Sequence, residues 1–242
     1  MDSIISNLEV KIFADGADLI GMKEMYANPI IKGFTTNPTL MRKAGIRDYY
    51  SFAKEVISAI PDRPISFEVF ADEFEMMERQ AFEIASWGKN VNVKIPVTNT
   101  KRQFTGELIK RLSQAGVPVN ITAVMTLGQV ERVVDCLALD TPAIISVFAG
   151  RIADTGVDPL PIMARSLEIM RSKPNSELIW ASPRELLNVF QANSIGCHII
   201  TATTDILKKL ALFNKDLEEY SLETVDMFYR DASAAGYVID VA

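Results

Sequence analysis

At 242 residues, 48% of them hydrophobic, the chain can bury a large core, either as two small domains or as one α/β barrel. A formal net charge of −6 with scattered Lys and Arg leaves no footprint for nucleic acid, and no run approaches the roughly 18 apolar residues of a membrane helix. Cys136 and Cys197 stand far apart in no metal-ligand pattern, which implies reduced, buried thiols, a cytoplasmic setting and no structural metal.

In chain order, Met1-Asp2-Ser3-Ile4-Ile5 has neither a basic start nor a long apolar stretch, so a soluble, unexported protein is expected. The first β-prone run, Val10 to Ala14, ends at Asp15, and the second, Ile31 to Phe34, leads into Thr35-Thr36-Asn37. Ile65 to Phe70 carries Glu68 and is followed by helical spacing over Glu73 to Trp87. Val91 to Ile95 holds Lys94, with a helix predicted at Thr105 to Ala115. Val119 to Ile121 contains Asn120 and stops before Thr122, ahead of a helical stretch from Leu127 to Leu137. Ala143 to Val147 contains Ser146 and precedes Arg151 and a helix at Pro159 to Ser172. Leu178 to Ala181 leads to Ser182, Arg184 and a helix at Pro183 to Ala192, and His198 to Thr201 closes the series. Gly88, Gly116 and Gly196 fall shortly before strand entrances, where a helix must end and the chain turn back.

Strands alternating with helices predict βα units on a parallel sheet, and eight of them fit a (β/α)8 TIM barrel. The expected organisation is one α/β barrel domain over 1–242 with a helical extension at about 205–236. A doubly wound open sheet is the rival, but Asp15-Gly16-Ala17-Asp18 is no Gly-rich phosphate fingerprint. A barrel carries its chemistry at the C-terminal strand ends, and every predicted strand places a polar residue at or near that end.

Lys94 stands out among these, because Val93 and Ile95 flank it in a run that predicts a buried strand. Burial disfavours an ammonium, and a deprotonated lysine can attack a carbonyl to form a Schiff base. A strand-end lysine whose head reaches solvent is the simpler alternative for Lys94 taken alone.

Six motifs in one order carry a resemblance that runs from about Val10 to Thr204. They are Phe13-Ala14-Asp15, Thr35-Thr36-Asn37-Pro38, Val93-Lys94-Ile95-Pro96, Asn120-Ile121-Thr122, Ser146-Val147-Phe148-Ala149-Gly150-Arg151-Ile152 and Ala181-Ser182-Pro183-Arg184. On these the chain resembles the class I transaldolase family, which includes the fructose-6-phosphate aldolase type and folds as a (β/α)8 barrel. The resemblance implies that Lys94 captures a ketose carbonyl as an iminium, which serves as the electron sink. Asp15 matches the acid/base carboxylate, although Gly16 and the helical segment after it also suit a helix N-cap. Glu68 matches the residue that, with Thr122, holds a catalytic water; a purely structural pairing with Lys94 is the alternative. Aldolase-type relatives typically carry Gln and Tyr where this chain has Glu68 and Phe148, so both positions side with transfer.

The remaining carry-over concerns substrate binding. Thr36, Asn37 and Asn120 would meet substrate hydroxyls, the two amides alternatively serving loop backbone, and Ser146 would contact the donor's hydroxymethyl end. Arg151, Ser182 and Arg184 match the family's phosphate site, where guanidinium groups grip phosphate; unspecific surface arginines are the plain alternative. The resemblance thus implies sugar-phosphate substrates, a pentose phosphate pathway setting, and no metal or organic cofactor. Shorter family members form homo-oligomers, often decamers, in which the C-terminal helix packs on a neighbour. Leu212, Phe213, Leu217, Phe228 and Tyr229 would supply an apolar face for such a partner.

Other features suggest packing. His198, the single histidine, fits a satisfied barrel residue, and Phe74, Met76 and Met77 fit the inner face of a covering helix. Glu218, Glu219, Glu223 and Asp226 fit a solvated helix surface.

Overall fold

Eight parallel strands close into a barrel in chain order in the computed structural model, which describes residues 7–241 and so excludes the Met1 to Ile5 run. They are β1 (Lys11–Asp15), β2 (Ile31–Thr35), β3 (Ile65–Glu68), β4 (Val91–Pro96), β5 (Val119–Val124), β6 (Ala143–Val147), β7 (Ser176–Trp180) and β8 (Ile199–Thr203). Each pairs with the next, and β8 returns to β1 with Thr201 opposite Phe13 and Thr203 opposite Asp15. The connections hold α1 (Leu19–Tyr26), α2 (Pro38–Lys43), α3 (Tyr49–Ala59), α4 (Phe74–Ser86), α5 (Gly106–Gln114) and α6 (Leu127–Cys136). Then come α7 (Ala149–Ala153), α8 (Leu160–Met170), α9 (Leu187–Ser194) and α10 (Thr204–Lys208). This is a (β/α)8 TIM barrel.

Local chemistry explains where several elements start. Asp18, Asn37, Asp48 and Thr126 each turn a side-chain oxygen onto a free backbone N–H in the first turn of α1, α2, α3 and α6. The strands are built from Val, Ile and Phe because helices cover their outer face while the barrel interior buries the other. Inside the barrel, Phe13, Ile144, Ile179, Ala181 and Ile199 form an apolar plug, with Phe148 packed on it. Gly33 makes room for it, since a Cβ there would lie 2.5 Å from the Phe13 ring. Each fully buried side chain of this size contributes about 1.5–3 kcal/mol.

Several boundaries differ from the sequence expectation. β3 stops at Glu68 because Phe70 N–H turns to the Gln80 side chain at 2.8 Å. β5 runs on to Val124 through a bulge, with Ala123 in the left-handed region at φ 61°. α9 begins at Leu187 instead of Pro183, because Arg184 and Glu185 N–H both go to Asn188 Oδ1. Met77 is buried under α4, but Met76 is 48% exposed, so the predicted inner face of that helix narrows to Met77, Ala81 and Ile84. Cys197 is buried as expected, whereas Cys136 is only half-buried; both are free thiols, and burial pushes Cys197 up to about 12.

The chain divides into two compact units, one ending at Lys208 and one beginning at Lys209. The second contains a 3-10 turn (Lys209–Leu212) and α11 (Leu217–Ala235), separated by Asn214 at φ 55°. Asp216 caps α11 through Glu218 and Glu219 N–H, and Gly236 ends it in the left-handed conformation. Its acidic residues are exposed, as are Leu217, Leu222, Val225, Phe228 and Tyr229. Among the described residues no helix is long and apolar enough to cross a membrane.

Candidate active site

The C-terminal mouth of the barrel opens into a cavity of about 740 Å³. Lys94 lies at its floor, 6% exposed, so the solvent-reaching strand-end geometry does not apply. Val93 and Ile95 point outward into the helix layer, and the strand period sends Lys94 inward. Glu68 and Lys94 are directly paired across β3 and β4, which brings Glu68 Oε2 within 3.2 Å of Lys94 Nζ. The ammonium also donates to the Thr36 carbonyl at 2.9 Å. A carboxylate and a carbonyl thus offset the desolvation of one buried cation.

Asp15 ends β1 on the same cavity. Its Oδ1 accepts from Thr35 Oγ1 at 2.8 Å and its Oδ2 from Asn37 Nδ2 at 3.3 Å, while Thr35 Oγ1 is also 2.5 Å from Thr201 Oγ1. Asp18 caps α1, so Asp15 is left with its side chain in the site. Burial raises Asp15 above the ordinary carboxylate range, against the opposing pull of the Lys94 charge and of the Thr35 and Asn37 hydrogen bonds. A carboxyl whose proton affinity is raised in this way is suited to exchange a proton with a substrate hydroxyl beside it. Asn37 does two things at once: its oxygen caps α2 through Leu40 N–H, and its amide nitrogen reaches Asp15.

Below Lys94 and Glu68 runs a polar thread through the barrel. Ser146 Oγ donates to Asn120 Oδ1 at 2.7 Å, and Asn120 Nδ2 donates to Ser66 Oγ at 3.0 Å. Asn120 is fully buried and does not line the cavity, whereas Ser146 and Thr122 do. Thr36 is likewise withdrawn: its hydroxyl donates to the Ser66 carbonyl, and only its own carbonyl serves Lys94. Direct substrate contact by the Thr36 and Asn120 side chains is therefore not the geometry of this structure.

Phe148, Arg151, Ser182 and Arg184 form the opposite wall of the cavity. The Arg151 guanidinium stands 5.7 Å from the centroid of the Phe148 ring. Arg184 is gripped at two points by Asp154, Nε to Oδ1 at 3.0 Å and a second bond from Nη2 to Oδ2. Gly150 lets the two loops meet, because a Cβ there would sit 1.5 Å from the Ser182 carbonyl oxygen. Ser182 itself takes φ 59°, a strained value for a non-glycine residue.

The sequence matches the family described as Transaldolase/Fructose-6-phosphate aldolase over residues 12–239. The chain belongs to this family. Two similar relatives carry the name "Probable transaldolase". One, from Methanococcus maripaludis, is 34% identical over 216 residues, covering 88% of this chain and 94% of the relative. The other, from a Thermoanaerobacter species, is 36% identical over 203 residues, covering 83% and 89% respectively. Among solved structures, a dihydrodipicolinate synthase from Rhodopseudomonas palustris shares the fold alone, with a TM-score of 0.55 at 16% identity over 80% of this chain and 69% of that one. Membership makes this an enzyme of transaldolase type, and sugar phosphates are the substrate class of the family.

Ten of the twelve residues anticipated from sequence line the family member's cavity; Thr36 and Asn120 lie behind it. Sequence reasoning missed Lys43, at the end of α2, and Thr39 and Met125, all three of which line the mouth. A search confined to strand ends passes over Lys43 because it lies six residues beyond Asn37; helical spacing counted onward from Asn37-Pro38 would have found it. His198 lies away from the site and accepts Leu178 N–H on Nδ1 at 2.9 Å, and burial holds its imidazole below the ordinary range.

Proposed function

We propose that this family member is a class I transaldolase that moves a dihydroxyacetone unit from a ketose phosphate, such as fructose 6-phosphate or sedoheptulose 7-phosphate, to an aldose phosphate. The observation that carries this reading is the buried Lys94 amine with Glu68 at 3.2 Å, on the same cavity as Asp15. Lys94 Nζ, once deprotonated, attacks the ketose C2 carbonyl; water leaves and an iminium forms. Asp15 takes the C4 hydroxyl proton, the C3–C4 bond breaks, and its electron pair moves into the iminium to give an enamine. The aldose departs, an acceptor aldehyde enters, and the steps reverse, with Asp15 returning the proton to the new hydroxyl.

Glu68 and Thr122 flank the amine on β3 and β5 and suit a shared water that carries protons at the nitrogen. Ser146 suits the hydroxymethyl end of the donor and Asn37 a hydroxyl beside Asp15, while Asn120 and Thr36 act from behind by holding Ser146 and Lys94. Arg151, Ser182 and Arg184 suit the phosphate on the far wall. Phe148 brings no hydroxyl to the cavity, which favours retention of the enamine for transfer over its protonation and release as free dihydroxyacetone. The exposed apolar residues of α11 support self-association of this enzyme.

The test is intact mass after borohydride reduction of wild type and Lys94→Met incubated with fructose 6-phosphate, with and without erythrose 4-phosphate. A three-carbon adduct on wild type alone is expected, reduced in amount by the acceptor as a seven-carbon sugar phosphate forms. Free dihydroxyacetone released as fast as donor is cleaved, with the acceptor making no difference, indicates the aldolase-type reaction. No adduct on either protein rejects Schiff-base chemistry and leaves a barrel that only binds sugar phosphate.

A further inference from the structure

β2 and β3 share a short ladder. Phe34 pairs with Ile65 and Thr35 with Ser66, and the last rung is Thr36 N–H on the Ser66 carbonyl at 3.2 Å. In a parallel ladder the next two bonds run from Glu68 N–H to the Thr36 carbonyl, and from the residue two beyond Thr36 to the Glu68 carbonyl. The residue two beyond Thr36 is Pro38, which has no N–H to give. The Thr36 carbonyl accepts the Lys94 ammonium instead, at 2.9 Å.

Both groups of Glu68 turn to a single side chain on α3. Glu68 N–H donates to the Tyr49 phenol oxygen at 2.7 Å, and the phenol O–H donates back to the Glu68 carbonyl at 3.1 Å. The phenol is held where it can do this. Tyr49 opens α3 directly after its cap Asp48, and its ring packs at centroid distances of 4.5 Å on Phe70, 5.4 Å on Trp87 and 6.0 Å on Phe67. Tyr49 belongs to a separate cavity of about 260 Å³ and does not line the one that holds the Lys94 amine.

We propose that Tyr49 is a positioning residue: its phenol replaces the missing rung between β2 and β3, sets Glu68 beside Lys94, and leaves the Thr36 carbonyl free to hold the amine. The bonding pattern gives the reason. Without the phenol, Glu68 N–H is an orphaned donor in the barrel wall, and the Thr36 carbonyl is the acceptor that ladder geometry offers it. Closing that rung makes Glu68 N–H compete with Lys94 for one oxygen and draws the Glu68 backbone toward β2. This role rests on the reading that Lys94 and Glu68 carry out the reaction.

Tyr49→Phe keeps the ring and removes only the oxygen, and Tyr50→Phe, on the neighbouring half-exposed ring, is the control. Amide hydrogen exchange by NMR reads the Glu68 N–H directly, without reference to activity. In Tyr49→Phe that amide is expected to exchange roughly tenfold faster or more than in wild type, with the other β3 amides little changed. kcat is expected to fall about 10- to 100-fold, as for a small misplacement of reacting groups, with KM within about twofold. Borohydride labelling slows in step with kcat, at a temperature where both proteins are fully folded. Tyr50→Phe matches wild type in each measurement. Unchanged protection of the Glu68 amide overturns the proposal, as does faster exchange with kcat still at the wild-type level. Wild type that no ketose phosphate labels rejects the Schiff-base reading, and this catalytic role falls with it.

Discussion

Asp15 and Glu68 are two carboxylates on one cavity, and the barrel holds them in contrasting ways. Asp15 is met by neutral donors, the Thr35 hydroxyl and the Asn37 amide, and burial raises its proton affinity. Glu68 faces a cation, with Lys94 Nζ at 3.2 Å, and its backbone is fastened by the Tyr49 phenol. Neutral donors orient a carboxylate without fully compensating its charge, whereas an ammonium compensates the charge directly. The contrast assigns the work: the first group is set to trade a proton with substrate, and the second to manage the amine and the water beside it.

Substitutions that keep shape and remove charge break this contrast most sharply. Asp15→Asn is expected to lower kcat by about 10²- to 10⁴-fold, the span of a lost general base, while borohydride trapping of the intact ketose survives. Stability moves the other way. With the folded value of Asp15 raised above its ordinary 3.8, the native state holds this proton more tightly than the unfolded chain does. The stabilisation from Asp15 is therefore complete below 3.8 and is lost as pH rises through the folded value, above which the ionised carboxylate is a net cost to the fold. Denaturant titrations across pH are expected to show Asp15→Asn gaining on wild type as pH rises from 3.8, and an equal gap at every pH would reject the assignment.

Glu68→Gln is the milder change, because an amide can still bond a water and Lys94. A kcat loss of roughly tenfold is expected, and product analysis should show more free dihydroxyacetone. A loss as large as that of Asp15→Asn would erase the distinction between the two carboxylates. At the far wall, Arg151→Ala is expected to raise KM for phosphorylated substrates about 10- to 100-fold, the worth of a charge-assisted hydrogen bond, and to leave unphosphorylated acceptors unaffected. Arg184→Ala is expected to cost less under the same assay, since Asp154 already engages that guanidinium. His198→Leu is the smallest: about 1 kcal/mol of stability from the Leu178 N–H left without its acceptor, read by denaturant titration, with kcat unchanged.

The barrel was legible because short apolar, β-prone runs alternating with helical spacing recur eight times, and each run met its strand within a few residues. Lys94 was legible because a charge inside an apolar run is costly and so needs a reason. What stayed hidden was which polar groups face the cavity. Thr36 and Asn120 sit in the right motifs, but their side chains turn to Ser66, and the residues act from behind, Thr36 through its carbonyl on Lys94 and Asn120 through its amide on Ser146. Lys43 and Tyr49 stood in helical stretches of unremarkable composition, and only folding carries one to the mouth and the other to the back of Glu68.

The sequence by itself determined the order of the strands, the position of Lys94 within one of them and the family, because these depend on local periodicity and short motifs. Tertiary structure alone decided the pairing of Glu68 with Lys94, the donors around Asp15, the Asp154 grip on Arg184 and the phenol in the β2–β3 gap. Each of these joins residues from different βα units, and their distances follow from ring closure and strand register, which no local stretch of sequence encodes.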